Sequence, residues 1–275
     1  MGDIQSPLGL TGSRLEVNSL LVTAFSRHVK DLMRTIEVNG GHISGMVFSP
    51  LAAGRAALSK KQKHLGTAVI DMGGGTTGLS IYEGNKLLGT AVVPLGAAHI
   101  TNDIAVGLKI PVAAAEKVKL MYGYAIANEI GAKETIDIQK CDPGLSGTVS
   151  RKFVANIIEL RVAEILDYVN NELRLMTKAV SLPGGAVIVG GGAKLPGLTQ
   201  LVRERLRLSS QIGLALGEEW LHENPRFEEY FEDPEFVNVL GLVLFGADKE
   251  QWQESPSFER FTPKGLIQFL RYFLP

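Results

Sequence analysis

The sequence predicts an α/β protein in which two apolar strands each run into a cluster of glycines. Residues 67–93 have the pattern of three short strands, and the first turn, in "TAVIDMGGGTTGLSIY", places glycines directly after an aspartate strand end. A second apolar strand, in "AVIVGGGAKLPGL" (186–198), also runs into glycines but leads toward a helix. Helical periodicity between these strands completes the alternation that is typical of this class.

The composition is that of a folded protein and excludes several classes of function. The chain has 275 residues, of which 45% are hydrophobic and 21% charged, and its net charge of −1 does not point to nucleic acid. Cys141 is the only cysteine, which excludes an intrachain disulfide framework and a thiolate metal cluster. The five histidines are scattered without metal-ligand spacing. The sequence contains no run of about 18 apolar residues, so it predicts no membrane span.

The first 65 residues alternate turn signals with short elements. Residues 13–24 are predicted to form a strand, and residues 27–40 a helix that ends at the glycine pair 40–41. Residues 42–50 have the pattern of another strand. The small-residue stretch 51–62 is predicted to be one helix.

The elements after the strand meander are mainly helical. A helix is predicted over 97–108, and residues 111–182 form an inserted, mostly helical segment with one long amphipathic helix over about 151–178. The apolar positions of that helix recur at helical spacing and are Val154, Ile157, Ile158, Ile165, Leu166, Val169 and Leu173. Residues 217–235 are acidic and aromatic and predict a surface excursion, whereas residues 236–246 predict a buried helix of small residues.

The first glycine turn has the chemistry of a phosphate-binding loop. Residues 73–75 lack Cβ atoms, so their backbone N–H groups form an open row of donors for phosphate oxygens. The carboxylate of Asp71 can hold an accompanying divalent cation through water, and Thr76 and Thr77 add hydroxyl groups at the mouth. No Gly-Lys-Ser/Thr follows, and a strand leaves the turn, which excludes a Walker loop and a dinucleotide fingerprint. The alternative is a hairpin turn without a ligand.

The second glycine turn complements the first. A flat base and ribose can lie against glycine backbone at a strand-to-helix junction, with N–H groups of the helix terminus nearby. One turn for phosphates and one for the nucleoside together predict a nucleotide site.

Five segments carry a family resemblance: "DMGGGTTGLSIY", "PLGAAHITNDIAVGL", "AEKVKLMYG", "VIVGGGAKLPGL" and "VLGLVLFG". In this order they resemble the FtsA family of bacterial cell-division proteins, within the actin and heat-shock-chaperone ATPase superfamily. The resemblance extends from about residue 7 to residue 246. It implies an actin-like ATPase fold with ribonuclease H-like subdomains and an incomplete N-terminal lobe.

The resemblance implies ATP and Mg²⁺ in a cleft between two lobes, with Asp71 orienting the magnesium through water. The positions implied to contact the nucleotide are Gly73, Gly74, Gly75, Thr76, Thr77, Glu116, Lys119, Gly190, Gly191, Gly192 and Ala193. Glu116 and Lys119 are one helical turn apart, so both can face ribose and adenine. A solvated surface pair is the alternative. For Asn102 and Asp103, capping, an interdomain contact and a ligand contact all stay open.

The chain departs from the family pattern in two places. Gly78 stands where the family usually has an aspartate after the two threonines, which favours binding and switching over hydrolysis and predicts weak ATPase activity at most. Nothing in residues 1–65 resembles the family's first Asp-Gly phosphate hairpin. Only half of the phosphate clamp is therefore expected in these residues, because of a truncation or a late start of the reading frame.

The resemblance also implies a division into subdomains. The expected parts are a portion of small subdomain 1C (1–47), a crossing helix of lobe 1 (48–65), nucleotide-binding subdomain 2A (66–110 and 183–235), inserted subdomain 2B (111–182), a return helix (236–250), a linker (251–262) and a terminal helix (263–275).

The terminal segment "FTPKGLIQFLRYFLP" predicts an amphipathic helix. Its apolar residues lie on one side of the helix, and Lys264, Gln268 and Arg271 lie on the opposite side. This arrangement suits a helix lying in a membrane interface. The residues expected at the membrane are Leu266, Ile267, Phe269, Leu270, Arg271, Phe273 and Leu274. A helix packed on the body or on a partner is the alternative.

These observations lead to one expected function and two alternatives. The expectation is an ATP-binding, actin-like protein that polymerises at the cytoplasmic face of the bacterial inner membrane, at the division site. It would anchor the tubulin-like FtsZ ring, binding the FtsZ C-terminal tail through 111–182, and would recruit later divisome membrane proteins. A cytoplasmic actin-like adaptor of type IV pilus assembly is one alternative. A sugar kinase is the other, and no second substrate site supports it.

Overall fold

A computed structural model provides the structure of the chain. It describes residues 19–177, 182–215 and 228–247, together with residues 9, 11–14, 16 and 17. These residues belong to two compact units, Met1–Ile43 and Ser44–Pro275. The terminal segment 263–275 and most of the acidic stretch 217–235 lie outside the described residues. None of the described helices is both long and apolar enough to cross a membrane.

The unit Met1–Ile43 contains helix α1, Ser26–Val38, which confirms the helix predicted over 27–40. The glycine pair ends it: Gly40 has φ 81°, and the N–H of Gly41 donates to the carbonyl of Ile36. The strand predicted over 13–24 is wrong, since its described residues form no regular structure. A strand needs a hydrogen-bonded neighbour, and the described part of this unit contains none.

The unit Ser44–Pro275 alternates helices and strands. Its helices are α2 (Ser49–Ala57), α3 (Lys60–Leu65), α4 (Ala97–Leu108), α5 (Val112–Tyr122), α6 (Arg151–Met176), α7 (Leu198–Leu206), α8 (Glu228–Phe231) and α9 (Val237–Ala247). Its strands are β1 (Thr67–Met72), β2 (Thr77–Glu83), β3 (Lys86–Val93), β4 (Thr135–Asp137), β5 (Thr148–Ser150), β6 (Ala186–Val189) and β7 (Ser210–Ile212). The meander, α4, the long helix α6 and β6 confirm the sequence predictions.

Three predictions differ from the structure in this unit. Residues 42–48 form no strand. The helix predicted over 51–62 is two helices, because Ser59 leaves the helical conformation and caps α3 through a reciprocal capping box with Gln62. The short strands β4, β5 and β7 were not predicted, since three residues are too few to show alternation.

The main sheet has five strands in the order β3-β2-β1-β6-β7. Strands β1, β2 and β3 form the antiparallel meander, whereas β6 runs parallel to β1 and β7 parallel to β6. In the register of β1 and β6, Asp71 lies beside Val189, so both strands end at the same edge of the sheet. β4 and β5 form a separate antiparallel pair within the inserted segment.

The two faces of the sheet pack against different helices. On one face, Ile70 of β1 and Ile188 of β6 join the large core that includes α4, α5, α6 and α7. On the other face, Val69 and Val187 join alanines of α2 and Val237 of α9. Because side chains alternate along a strand, Asp71 lies on the face that α2 and α9 cover.

Helix α9 is apolar but not buried all round, which corrects the predicted buried helix. Val237, Gly241 and Leu244 are buried, while Val239, Leu242 and Val243 are exposed. Gly241 is where α9 crosses α2 closely, since a Cβ there would lie 2.0 Å from the carbonyl oxygen of Ala52.

Candidate functional site

The two glycine turns meet at one edge of the main sheet. Strands β1 and β6 are parallel neighbours that end together at Asp71 and Val189, so the residues that follow them emerge side by side. A Cβ on Gly190 would lie 2.7 Å from the carbonyl oxygen of Met72, and a Cβ on Gly192 would lie 2.4 Å from Cγ of Met72. The second turn therefore packs directly on the end of β1. Crevices at the carboxyl ends of such strands are the usual ligand sites of α/β proteins.

The first turn is held by its own backbone and by the start of α4. The N–H of Gly73 donates to the carbonyl of Thr76 at 3.0 Å, which closes the turn. Its carbonyls accept from the first residues of α4: Ala97 N–H donates to Gly73 at 2.9 Å and Ala98 N–H to Gly74 at 2.8 Å. A Cβ on Gly74 or Gly75 would meet nothing within 4 Å. The turn is thus rigid, and its glycines face open space that a phosphate group can occupy.

The two threonines of the first turn take different positions. Thr76 is exposed, as a residue at the mouth should be. Thr77 is fully buried, and its Oγ1 donates to the carbonyl of Leu95 at 2.8 Å. The expectation that both hydroxyl groups lie at the mouth is therefore corrected for Thr77. Thr77 is the first residue of β2 and pairs with Met72 of β1. Its side chain therefore lies on the same face of the sheet as Met72, which belongs to the large core.

Asp71 is a buried carboxyl group held by helix α9. The residue is 9% exposed, and its Oδ2 accepts a hydrogen bond from Nδ2 of Asn238 at 2.6 Å. Burial raises the pKa of Asp71, and the hydrogen bond from Asn238 opposes part of that rise. The other oxygen lies beside the second turn, since a Cβ on Gly190 would be 2.5 Å from Oδ1. Asp71 therefore touches both turns and α9.

Gly78 lies opposite Asp71 on strand β2, and the structure explains why it has no side chain. A Cβ there would lie 2.9 Å from Cγ of Pro50, at the start of α2, and 3.6 Å from Cβ of Asp71. The same turn of α2 is tied to β2 by Ser80, whose hydroxyl donates to the carbonyl of Pro50 at 3.0 Å. A carboxylate at position 78 would displace α2 and add a like charge beside Asp71.

The second turn requires glycine at its first position and is supported by the segment before α9. Gly190 has φ +87°, a conformation that favours glycine, and its N–H donates to the carbonyl of Pro234 at 2.8 Å. Lys194 forms ion pairs with Asp233 and Glu235. Gly191 differs from its neighbours, because the nearest atom to a Cβ there would belong to Glu235, at an ordinary contact distance of 3.7 Å. Ala193, the last residue of the predicted loop, is buried.

Glu116 and Lys119 form a polar cluster with Thr101 of α4. Nζ of Lys119 lies 2.8 Å from Oε2 of Glu116 and donates to Oγ1 of Thr101 at 2.8 Å and to the carbonyl of Ala97 at 3.2 Å. The Thr101 hydroxyl also donates to Glu116. The Lys119 side chain is only 10% exposed, so the alternative of a solvated surface pair does not describe it. The cluster adjoins the first turn of α4, which holds the glycine turn.

Desolvation alone would raise the pKa of Glu116. Hydrogen bonds from Lys119 and Thr101, together with the charge of Lys119, outweigh it and lower that pKa below its ordinary value. Glu116 is therefore ionised near neutral pH, and it offers a carboxylate with a partly exposed face.

Asp103 serves packing between helices. Its two carboxylate oxygens accept from Arg161 of α6, Oδ2 from Nε at 2.5 Å and Oδ1 from Nη2 at 2.8 Å. This bidentate pair joins α4 to α6. The possibilities considered from the sequence for this residue were capping, an interdomain contact and a ligand contact, and a contact between two helices of the same unit was not among them.

Two residues of the site were given no role by the sequence analysis. Asn238 contacts Asp71 from 167 residues away, and Thr101 joins a cluster on another helix. No group of three or more His, Cys, Asp or Glu side chains that could hold a metal ion occurs in the part of the chain that the structure describes. A cation at this edge would therefore need oxygen ligands from a bound molecule or water.

Comparisons with known proteins agree on family and fold. The sequence profile of the family "Cell division protein FtsA" matches residues 68–241. The cell division protein FtsA of Bacillus subtilis (strain 168) is 36% identical over 245 residues, which are 89% of this chain and 53% of that protein. MreB5 of Spiroplasma citri bound to ADP superposes with a TM-score of 0.62 at 18% identity, covering 85% of this chain and 69% of that one. A PilM–PilN type IV pilus biogenesis complex superposes with a TM-score of 0.58 at 22% identity. That match covers 80% of this chain and 58% of the other.

The superpositions show that this chain has an actin-like ATPase fold. Because the sequence identities are below 25%, they show the fold and not a shared function. The chain spans about half the length of its Bacillus relative. The family profile covers more than half of this chain and includes both glycine turns, Asp71 and the Glu116–Lys119 pair. The chain therefore belongs to the FtsA family of cell division proteins.

Proposed function

We propose that this chain is the nucleotide-binding part of an actin-like protein of bacterial cell division, and that it binds ATP at the edge of the main sheet. The observation that carries the proposal is the meeting of two glycine turns, from β1 and β6, around the buried carboxylate of Asp71. MreB5, which shares the fold, was solved bound to ADP.

The proposed roles follow the shape of the site. The open turn of Gly73, Gly74, Gly75 and Thr76 takes phosphate oxygens, and residues 190–193 lie against the adenosine. Glu116 and Lys119 contact ribose and adenine. Asp71 orients Mg²⁺ through water, which fits a site with one buried carboxylate and no cluster of acids among the described residues. When bound, Mg²⁺ supplies positive charge to the phosphates, and the protein supplies the rigid turns.

Nucleotide would act mainly as a switch. The expected carboxylate at position 78 is absent, and Pro50 occupies its space, so position 78 supplies no second acid to influence an attacking water. Binding would bias how α2 and α9 pack against the site, because Pro50 and Asn238 contact it from these helices.

The partners of the whole protein are part of the same proposal. It would form filaments, bind the FtsZ C-terminal tail through 111–182, recruit later divisome proteins, and attach to inner-membrane lipids at the division site through 263–275. Exposed apolar side chains on α5 and α6 (Leu120, Met121 and Leu160) give the inserted segment a surface for a protein partner. Weak anchoring by one helix would be multiplied along a filament.

Nucleotide binding is tested by two variants that block the site without disturbing the fold. Gly75→Val and Gly191→Val introduce side chains that face open space or ordinary contacts, so both should fold normally. Titration calorimetry with Mg-ATP should show affinity reduced by more than about tenfold, or 1.4 kcal/mol. Gly246→Val is the matched control: it is equally open and lies about 12 Å along α9 from Asn238. Unchanged affinity in both site variants would show that the glycines form turns only.

Membrane attachment is tested by co-sedimentation with anionic liposomes. The full chain should pellet with the vesicles, and a chain lacking residues 263–275 should stay in the supernatant. The truncated chain must keep its Mg-ATP affinity, so that loss of pelleting reflects the missing segment rather than unfolding. Equal pelleting of both chains would contradict the anchor.

A further inference from the structure

Asn238 of α9 makes the side-chain hydrogen bond that the structure gives to Asp71. Strand alternation puts Asp71 on the sheet face that α2 and α9 cover. Asn238, in the first turn of α9, donates from Nδ2 to Oδ2 of Asp71 at 2.6 Å. An ionised carboxylate only accepts hydrogen bonds, so the NH₂ group of the amide must face it.

The other end of the amide is unsatisfied. Oδ1 of Asn238 is buried and has no hydrogen-bond partner among the described residues. Native proteins rarely leave a buried acceptor without a donor, and such a group calls for an explanation. Both amide atoms share one carbon, so this orphaned acceptor lies close to the Asp71 carboxylate. A water bound to a cation at Asp71 would supply the missing O–H donor if it reached this atom.

Asp71 is confined on its other sides. Oδ1 lies against the backbone of Gly190, where a Cβ would be 2.5 Å away, and Cβ lies 3.6 Å from the position of a Cβ on Gly78. The hydrogen bond from Asn238 therefore selects one orientation of a carboxylate that has little room to turn. Side chains that fix a cation-binding carboxylate in this way control its affinity for the ion.

We propose that Asn238 is a positioning residue for the divalent cation: it orients Asp71 through Nδ2 and offers Oδ1 as a second acceptor to the water shell of the cation. This inference rests on the proposed nucleotide function. It predicts that Asn238 matters for the cation-dependent part of nucleotide affinity and not for nucleotide affinity as a whole.

The test compares ADP affinity with Mg²⁺ and with EDTA, using the full chain and titration calorimetry. In Asn238→Leu, the ratio of the two affinities should fall by about tenfold or more, while the affinity in EDTA stays at the wild-type value. Asn238→Ala removes both the donor and the acceptor without adding a charge, so it should show the same loss. Asn238→Ser keeps a short donor and acceptor and should recover part of the ratio. Val239→Leu, on the exposed side of α9, is the matched control.

The outcomes separate the inference from the proposed function. A wild-type chain that binds no ADP under either condition contradicts the function. Wild-type binding that depends on Mg²⁺, with an unchanged ratio in Asn238→Ala or Asn238→Leu, overturns the inference. An equal loss in Mg²⁺ and in EDTA also overturns it, because that loss indicates only a structural role. If Asn238→Leu does not unfold cooperatively without ligand, the result for Asn238→Ala decides.

Discussion

Asp71 combines burial with an expected negative charge, and this conflict has a measurable cost. The surrounding protein raises its pKa above the ordinary value of 3.8, and the hydrogen bond from Asn238 offsets only part of that rise. In the unliganded protein, ionised Asp71 is therefore a source of instability. A bound cation would remove that cost, because a positive charge favours the carboxylate. Functional sites often carry destabilising groups of this kind.

Asp71→Asn should therefore stabilise the unliganded chain near neutral pH while it removes Mg²⁺-dependent binding. An Asn side chain keeps an oxygen acceptor for Asn238 and has no charge to bury. Because the folded-state pKa is raised, the stabilising effect of the proton on Asp71 is complete below pH 3.8 and is lost as pH rises through the folded-state value. The stability difference between variant and wild type should then grow with pH and reach a plateau.

The measurement is urea unfolding of both chains from acid to neutral pH, without nucleotide. A stability difference that does not change with pH would show that burial does not destabilise the ionised carboxylate of Asp71. A variant less stable than wild type at pH 7 would show the same.

Among the elements, α9 connects the site to α2. Asn238 reaches Asp71 from its first turn, and one helical turn later Gly241 lets α9 approach the backbone of α2. The sheet side of α2 is made of small residues, including Ala53 and Ala56. Close helix crossings need small residues at the contact, and any added atom must displace backbone.

Gly241→Ala should destabilise the chain, whereas Gly246→Ala in the same helix should not. A Cβ at position 241 would lie 2.0 Å from the carbonyl oxygen of Ala52, but a Cβ at position 246 meets nothing within 4 Å. Overpacking at the crossing should cost about 1–3 kcal/mol in the free energy of unfolding. At position 246, the better helix propensity of alanine should contribute up to about 1 kcal/mol of stability.

The stabilities of Gly241→Ala and Gly246→Ala are compared by chemical denaturation. The comparison requires that the two variants have equal m-values. Because both variants introduce the same residue into the same helix, the difference between them isolates the crossing. Equal stability of the two variants would mean that the α2–α9 contact is looser than the structure indicates.

At the scale of the whole molecule, the two compact units differ in how much they bury. Helix α1 in the unit Met1–Ile43 has no buried residues. By contrast, β1 in the unit Ser44–Pro275 is buried along its whole length. A helix of this length without a buried face is marginal in water, whereas central strands open only with the fold as a whole.

Amide hydrogen exchange should therefore be fast throughout α1 and slowest in β1, β2 and β6. The expected protection of α1 is within about 1–2 kcal/mol of zero. Mass spectrometry of peptides from the exchanged chain measures both units in one experiment, so each serves as the reference for the other. Comparable protection of α1 and β1 would contradict this prediction.

Local interactions explain what the sequence determined by itself. The alternation of apolar residues, the glycine turns and the Gly40 helix end depend on neighbours a few positions apart, so the meander, α4, α6 and β6 could be predicted. The two glycine turns and Asp71 could be recognised for the same reason. Where pairing partners were needed, as for the strand expected over 13–24, local pattern was not enough.

The tertiary structure decided which residues those local elements meet. It brought Asn238 to Asp71, Pro50 over Gly78, and Thr101 between Glu116 and Lys119, and it turned Thr77 inward to Leu95. Periodicity shows which side of an element is apolar, but it does not show what covers that side. The physical reason is that these contacts depend on how distant segments return to the sheet, and a hydrogen bond between residues 167 positions apart leaves no local pattern.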